Sequence, residues 1–124
     1  MIDHAASLTG RRVLVVEDEY LIASQMKRWL AAAGAVVVGP VPSTDQAFDL
    51  IDDGSLDAGV LDINLGDGHT AYPVAEKLER MGVPYLFATG DVTTSEVSMY
   101  RYRPRIEKPF GEVGLVRALT RLLS

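Results

Sequence analysis

Five side chains in this sequence have types and spacings that could do chemistry together. The run "VLVVEDEY" (13–20) takes four apolar residues straight into three carboxylates, Glu17, Asp18 and Glu19. Like charges at the end of a buried run repel one another and cost free energy unless something pairs with them. Another acid, Asp62, lies near the end of "AGVLDI" (58–63) and is followed by the polar, glycine-containing loop "NLGDGHT". Thr89 ends "PYLFAT" (84–89), and Lys108 follows "RPRIE" (103–107). Glu17, Asp18 and Asp62 offer oxygen ligands only. That donor set suits a hard cation such as Mg2+, bound at about 2.0–2.1 Å with several waters retained. A divalent cation, the Lys108 ammonium and the Thr89 hydroxyl around one carboxylate would cradle a phosphoryl group in transfer. Such a transfer depends on in-line positioning and on neutralising the equatorial oxygens. A carboxylate can itself be the nucleophile and form an aspartyl-phosphate. Asp62, at a strand end before a flexible loop, is the best-placed candidate.

Taken singly, each residue also has a plain structural reading. Acids favour the first turn of a helix, Asp62 could form a turn before Asn64 and Gly66, Thr89 could cap, and Lys108 could be an exposed charge. Only the joint pattern favours a site, because the single readings do not place all of them on one edge of one sheet.

Short apolar runs alternate with helical patterns along the chain. "RRVLVV" (11–16) reads as a strand buried on both faces. A helix over about 19–33 follows, with Ile22, Met26, Trp29, Leu30 and Ala33 on one stripe and Gly34 at its end. "AVVVGPV" (35–41) is the second strand. Ser43 and Gln46 form an S-x-x-Q capping box that opens a helix through Ile51, closed by Gly54. The third strand is 58–63. A helix over about 71–81 tolerates Pro73 in its first turn and carries Val74, Leu78 and Met81 on one face, with Gly82 as its cap. The fourth strand is 84–89, and 91–101 reads as a weaker, short or mobile helix. A marginal fifth strand at 103–107 precedes a last helix over 111–123, whose Arg117 and Arg121 lie on the outer face. Strict β-α alternation with strands buried on both faces implies a doubly wound α/β fold, a five-stranded parallel sheet with five helices. Ligands bind such sheets at the carboxyl ends of the strands, where the candidate residues converge.

The 124 residues suit one domain spanning 1–124, with residues 1–10 as an N-terminal tail. A formal charge of −5 without a basic cluster argues against direct nucleic-acid binding. The absence of cysteine excludes disulfides, thiolate metal sites and cysteine nucleophiles. No apolar run is long enough to span a bilayer, and "MIDHAASLTG" lacks the pattern of a signal peptide. The expectation is a cytoplasmic protein that binds neither membrane nor nucleic acid. His4 and His69 have no partner at metal-ligand spacing. Tyr72, Tyr85, Tyr100 and Tyr102 read as core and surface aromatics.

With "VLVVEDE", "VLDINLGDG", "FATG" and "EKPF" in this order and spacing, the chain resembles the receiver domain of bacterial two-component response regulators, over essentially Arg11 to Leu123. The resemblance implies a flavodoxin-like strand order of 2-1-3-4-5. It implies that Asp62 is the phospho-acceptor, and that Asp18 and Asp62 contact Mg2+ while Glu17 acts partly through water. The backbone carbonyl of Asn64 would complete the metal shell. Thr89 would be the switch hydroxyl and Lys108 the phosphate-pairing lysine, with a cis Lys108–Pro109 bond. Asn64 and Asp91 occupy the positions that tune the lifetime of the phosphoryl group. Arg105 departs from the usual Tyr or Phe three residues before the lysine. "FATG" resembles a subgroup, found with alphaproteobacterial kinases, that often lacks this aromatic; the expected substitute is an ordering or shift of 90–103 when Thr89 moves.

The implied partners are a histidine kinase or phosphotransfer protein upstream and an unknown protein downstream, with room for a weak homodimer. The chain ends with its last helix, so no attached output domain is expected. The signal would leave through a face carrying Arg101, Arg103, Arg117 and Arg121, or the protein would act as a phosphate sink. It would catalyse only its own phosphorylation and dephosphorylation. The alternative on the same fold is a phosphorylation-independent interaction module. Enzyme readings fit less well. Glu17, Asp18 and Glu19 would repel a flavin phosphate where amides or hydroxyls should hold it, and no G-x-G-x-x-G follows the first strand. A dehalogenase-type phosphatase would want Asp, not Asn, at 64.

Overall fold

The structure, a computed structural model, describes residues 7–52, 55–90 and 103–124. Its strands are β1 (Arg12–Val16), β2 (Val36–Val41), β3 (Ala58–Asp62), β4 (Tyr85–Thr89) and β5 (Arg105–Glu107). Its helices are α1 (Tyr20–Ala32), α2 (Thr44–Ile51), α3 (Tyr72–Arg80) and α4 (Glu112–Leu122). The five strands form a parallel sheet in the order β2-β1-β3-β4-β5. That is the doubly wound order expected. Four helices are seen among the described residues, against five expected. The helix expected over 91–101 lies outside them, as do Asp91, Tyr100, Arg101, Tyr102, His4 and Gly54 and nearly all of the 90–103 shift.

Alternation of side chains across the sheet builds two cores. Leu14, Val16, Leu61 and Phe87 point to one face and pack with Ala47, Ile51, Val74 and Leu78 of α2 and α3. Val13, Val15, Val60, Leu86 and Ala88 point to the other and pack with Met26 and Leu30 of α1 and Leu115 and Leu119 of α4. β3 and β4 are buried along their whole lengths, which is why they read as continuous apolar runs.

Three local expectations shift. Leu8, placed by the sequence in a tail, is 1% exposed, and its N–H donates to the Ala33 carbonyl at 2.9 Å, so the tail is anchored to the body at this residue. In α1 the buried stripe includes Ala23, whereas Ile22 and Trp29 are only partly covered. Met81 is exposed, and Ala75 completes the inward face of α3 instead. The helix signals act as expected at α2, where the Ser43 hydroxyl accepts from the Gln46 N–H at 3.3 Å. The Gln46 side-chain oxygen, however, accepts a hydrogen bond from the Ser43 hydroxyl (3.0 Å). Gly34 (φ +95°) and Gly82 (φ +72°) end the first and third helices in left-handed backbone. Among the described residues two peptide bonds are cis, Lys108–Pro109 as expected and Gly39–Pro40, which nothing in the sequence signalled.

Candidate functional site

Strand register assembles the site. Val16 lies beside Leu61, so the next residues, Glu17 and Asp62, are neighbours at the strand ends. Asp62 pairs with Ala88, which brings Thr89 one step beyond it. Thr89 pairs with Glu107, and the Lys108 N–H donates to the Thr89 carbonyl at 2.8 Å. Residues separated by up to 91 positions therefore share one rim because four parallel strands end there in step.

The side chains meet. The Lys108 ammonium lies 3.0 Å from Glu17 Oε1 and 3.5 Å from Asp62 Oδ2, and it donates to Glu17 Oε2 at 3.3 Å. One carboxylate oxygen from each of Glu17, Asp18 and Asp62 falls within 4.8 Å of the others. Glu17 and Asp62 are buried, whereas Asp18 is exposed. Thr89 is buried at the end of β4. Asn64 begins a small hairpin, bridged antiparallel to Thr70. Glu19, the third acid of the run, is exposed and stands apart from the cluster as the N-cap of α1, its N–H donating to Glu17 Oε2 at 3.2 Å.

The electrostatics follow from this crowding. Burial pushes the Asp62 carboxyl up to about 8; the Glu17 hydrogen bond and charge add to the rise, and Lys108 opposes it. At Lys108, burial disfavours the ammonium, but the Glu17 hydrogen bond and the Asp62 and Glu17 charges outweigh it and hold its pKa above the usual value. Lys108 pairs with two of the three clustered acids, Glu17 and Asp62, so the cluster has more acidic than basic groups and room for a further positive charge. The donors fit a hard divalent cation: they are all carboxylate oxygens, and the buried Glu17 Oε1 makes no hydrogen bond, its contact with Lys108 being an ion pair poorly aligned for one.

The sequence model of the response regulator receiver domain matches residues 13–120. The chain belongs to this family. Among similar solved structures, SdrG from Sphingomonas melonis Fr1 is 40% identical, with a TM-score of 0.80 over 95% of this chain and 98% of that one. The BeF3-activated conformation of SdrG, from Pseudomonas melonis Fr1, is 38% identical, with a TM-score of 0.78 over 98% and 100%. PhyR from Brucella abortus is 27% identical, with a TM-score of 0.79 over 96% of this chain and half of PhyR. No curated protein matches the chain.

Other features of this receiver were not legible in its sequence. Glu79 Oε1 accepts from Arg103 Nε at 2.6 Å and from the Tyr85 hydroxyl at 2.8 Å, at the end of the sheet opposite the acids. Arg103, expected on a free output face, is therefore engaged, while Arg117 and Arg121 are exposed on α4. Gly66 lies beside Asp18: a Cβ there would lie 3.4 Å from Oδ2. Its glycine type and its place in the loop after Asp62 were the only sequence signal.

Proposed function

We propose that this protein is a phospho-acceptor response regulator. It takes a phosphoryl group onto Asp62 from a histidine kinase or phosphotransfer protein and passes the signal on by protein–protein contact. The observation that carries this reading is the Lys108 ammonium bridging Glu17 and Asp62, with Asp18 beside them. A carboxylate meant only for stability would not be buried among like charges.

In the transfer, a carboxylate oxygen of Asp62 attacks the donor phosphorus in line. The new P–O bond forms as the bond to the donor nitrogen or oxygen breaks, and the electron pair leaves with the donor. Lys108, 3.5 Å from Asp62 Oδ2, stays within reach of the phosphoryl oxygens and offsets part of their negative charge. Thr89, fixed at the end of β4, offers its hydroxyl to the same oxygens. Glu17, Asp18, Asp62 and the backbone carbonyl of Asn64 would hold Mg2+, which supplies neutralising charge to the transferring group. The protein's chemistry is then confined to its own Asp62, with no external substrate turned over. A cytoplasmic location goes with a phosphodonor of this class. No helix among the described residues is long and apolar enough to cross a membrane. The exposed Arg117 and Arg121 make the outer face of α4 the candidate contact for a downstream protein.

Intact-mass measurement after incubation with a small acyl phosphate tests the assignment. The expected result is one base-labile phosphoryl adduct that requires Mg2+ and is lost in Asp62→Asn. An adduct that persists in Asp62→Asn, or none under any condition, refutes it. SdrG has a BeF3-activated conformation, so BeF3 in place of acyl phosphate gives a stable state for finding partners.

A further inference from the structure

Asp18 is the acid of the cluster that faces solvent, so any hydrated cation or incoming phosphodonor meets it first. Gly66 lies beside its Oδ2: an added Cβ would stand 3.4 Å away, in van der Waals contact with the carboxylate. Gly66 cannot simply retreat. Leu65 is buried; its N–H donates to the His69 carbonyl at 2.9 Å, and the His69 N–H donates back to the Gly66 carbonyl at 2.9 Å. The Asn64–Thr70 bridge closes the base of the hairpin, and the Thr44 hydroxyl donates to the Thr70 carbonyl at 3.1 Å. A side chain at 66 would therefore occupy space beside the exposed Asp18 carboxylate rather than move the loop.

We propose that Gly66 is a positioning residue for the cation site: by lacking a side chain it keeps the outer face of the Asp18 carboxylate open to a metal ion and its retained waters. The inference rests on the site reading above. Mg2+ gives up its water reluctantly, so a methyl group beside Oδ2 takes space its hydration shell needs. The left-handed backbone of Gly66 (φ +85°) also favours glycine, and the test has to separate that preference from crowding of Asp18. The same loop supplies the control. Gly68 is equally left-handed (φ +78°), but a Cβ there meets nothing within 4 Å.

Calorimetric titration with MgCl2 of wild type, Gly66→Ala and Gly68→Ala, paired with urea unfolding of each in EDTA, decides the matter. The two variants should lose similar stability without metal. Mg2+ should bind about tenfold more weakly to Gly66→Ala and with wild-type affinity to Gly68→Ala. Wild-type affinity in Gly66→Ala, or equal weakening in both variants, overturns the inference. If Gly66→Ala does not fold, Gly66→Asn, whose side chain tolerates left-handed backbone, takes its place with the same expected weakening; wild-type affinity in that variant overturns the inference. A wild type that binds no Mg2+ refutes the underlying site reading, whereas a wild type that binds while Gly66→Ala matches it refutes this inference alone.

Discussion

Replacing Asp62 by Asn should make the metal-free protein more stable, although it abolishes the phospho-acceptor. In the native state the Asp62 carboxyl is held up to about 8, from an ordinary value of 3.8. Below pH 3.8 the group is protonated whether the chain is folded or not, and it contributes nothing to the pH dependence. As pH rises above 3.8 the unfolded chain releases the proton and the native state retains it, so folding loses ~1.4 kcal/mol per pH unit until about pH 8. At pH 7, about three units above the ordinary value, the accumulated cost is about 4 kcal/mol. Asn carries no such cost and keeps a donor for Glu17. Residual solvation beside the exposed Asp18 and the lost attraction to Lys108 reduce the gain, to about 2 kcal/mol. That corresponds to about 8 °C in Tm for a domain of this size.

The assay is thermal and urea unfolding of wild type and Asp62→Asn in EDTA from pH 4 to 8. Wild-type stability should fall relative to the variant as pH rises, and the two curves should converge near pH 4. Mg2+ at ten times its dissociation constant should restore about 1.4 kcal/mol to the wild type and markedly less to the variant. A variant no more stable than wild type at pH 7, or an advantage undiminished at pH 4, refutes the claim that the site is electrostatically overcrowded.

Lys108→Met removes the ammonium that serves Glu17 and Asp62; it should destabilise the metal-free protein by about 3 kcal/mol in urea unfolding, with Mg2+ recovering part of the loss. Gly59→Ala, near the start of β3, would place a Cβ 2.9 Å from the buried Leu78 Cδ1; a loss of about 1–3 kcal/mol is expected by denaturant titration, with phosphorylation at Asp62 retained. The Arg103 hydrogen bond, followed by that of Tyr85, holds the Glu79 carboxyl below its usual range. Its stabilising effect should be complete above the ordinary carboxylate range and fade as pH falls through the lowered native value, so Glu79→Gln should flatten that acid limb of the stability curve.

The site was legible in the sequence because its residues contradict their surroundings. Glu17 and Asp62 end apolar runs, and no packing argument places ionised groups there, so the charges themselves signalled a missing cation. The parallel fold then did the rest: once β1, β3, β4 and β5 are read as strands running the same way, Glu17, Asp62, Thr89 and Lys108 must share an edge whatever their distance along the chain. The Glu79–Tyr85–Arg103 cluster gave no such signal. Its members are ordinary surface types, and their meeting depends on side-chain reach across α3, β4 and the approach to β5. Gly66 was hidden for a related reason. A loop glycine always has a turn reading, and only the distance to Asp18 distinguishes it from Gly68 two residues on. The same distinction separates fold from site in mutational behaviour. Substitutions at apolar strand positions should lower stability and activity together, whereas neutralising the crowded Asp62 carboxyl should raise stability while abolishing phospho-acceptance, because the crowding that opposes folding is what the proposed cation would relieve.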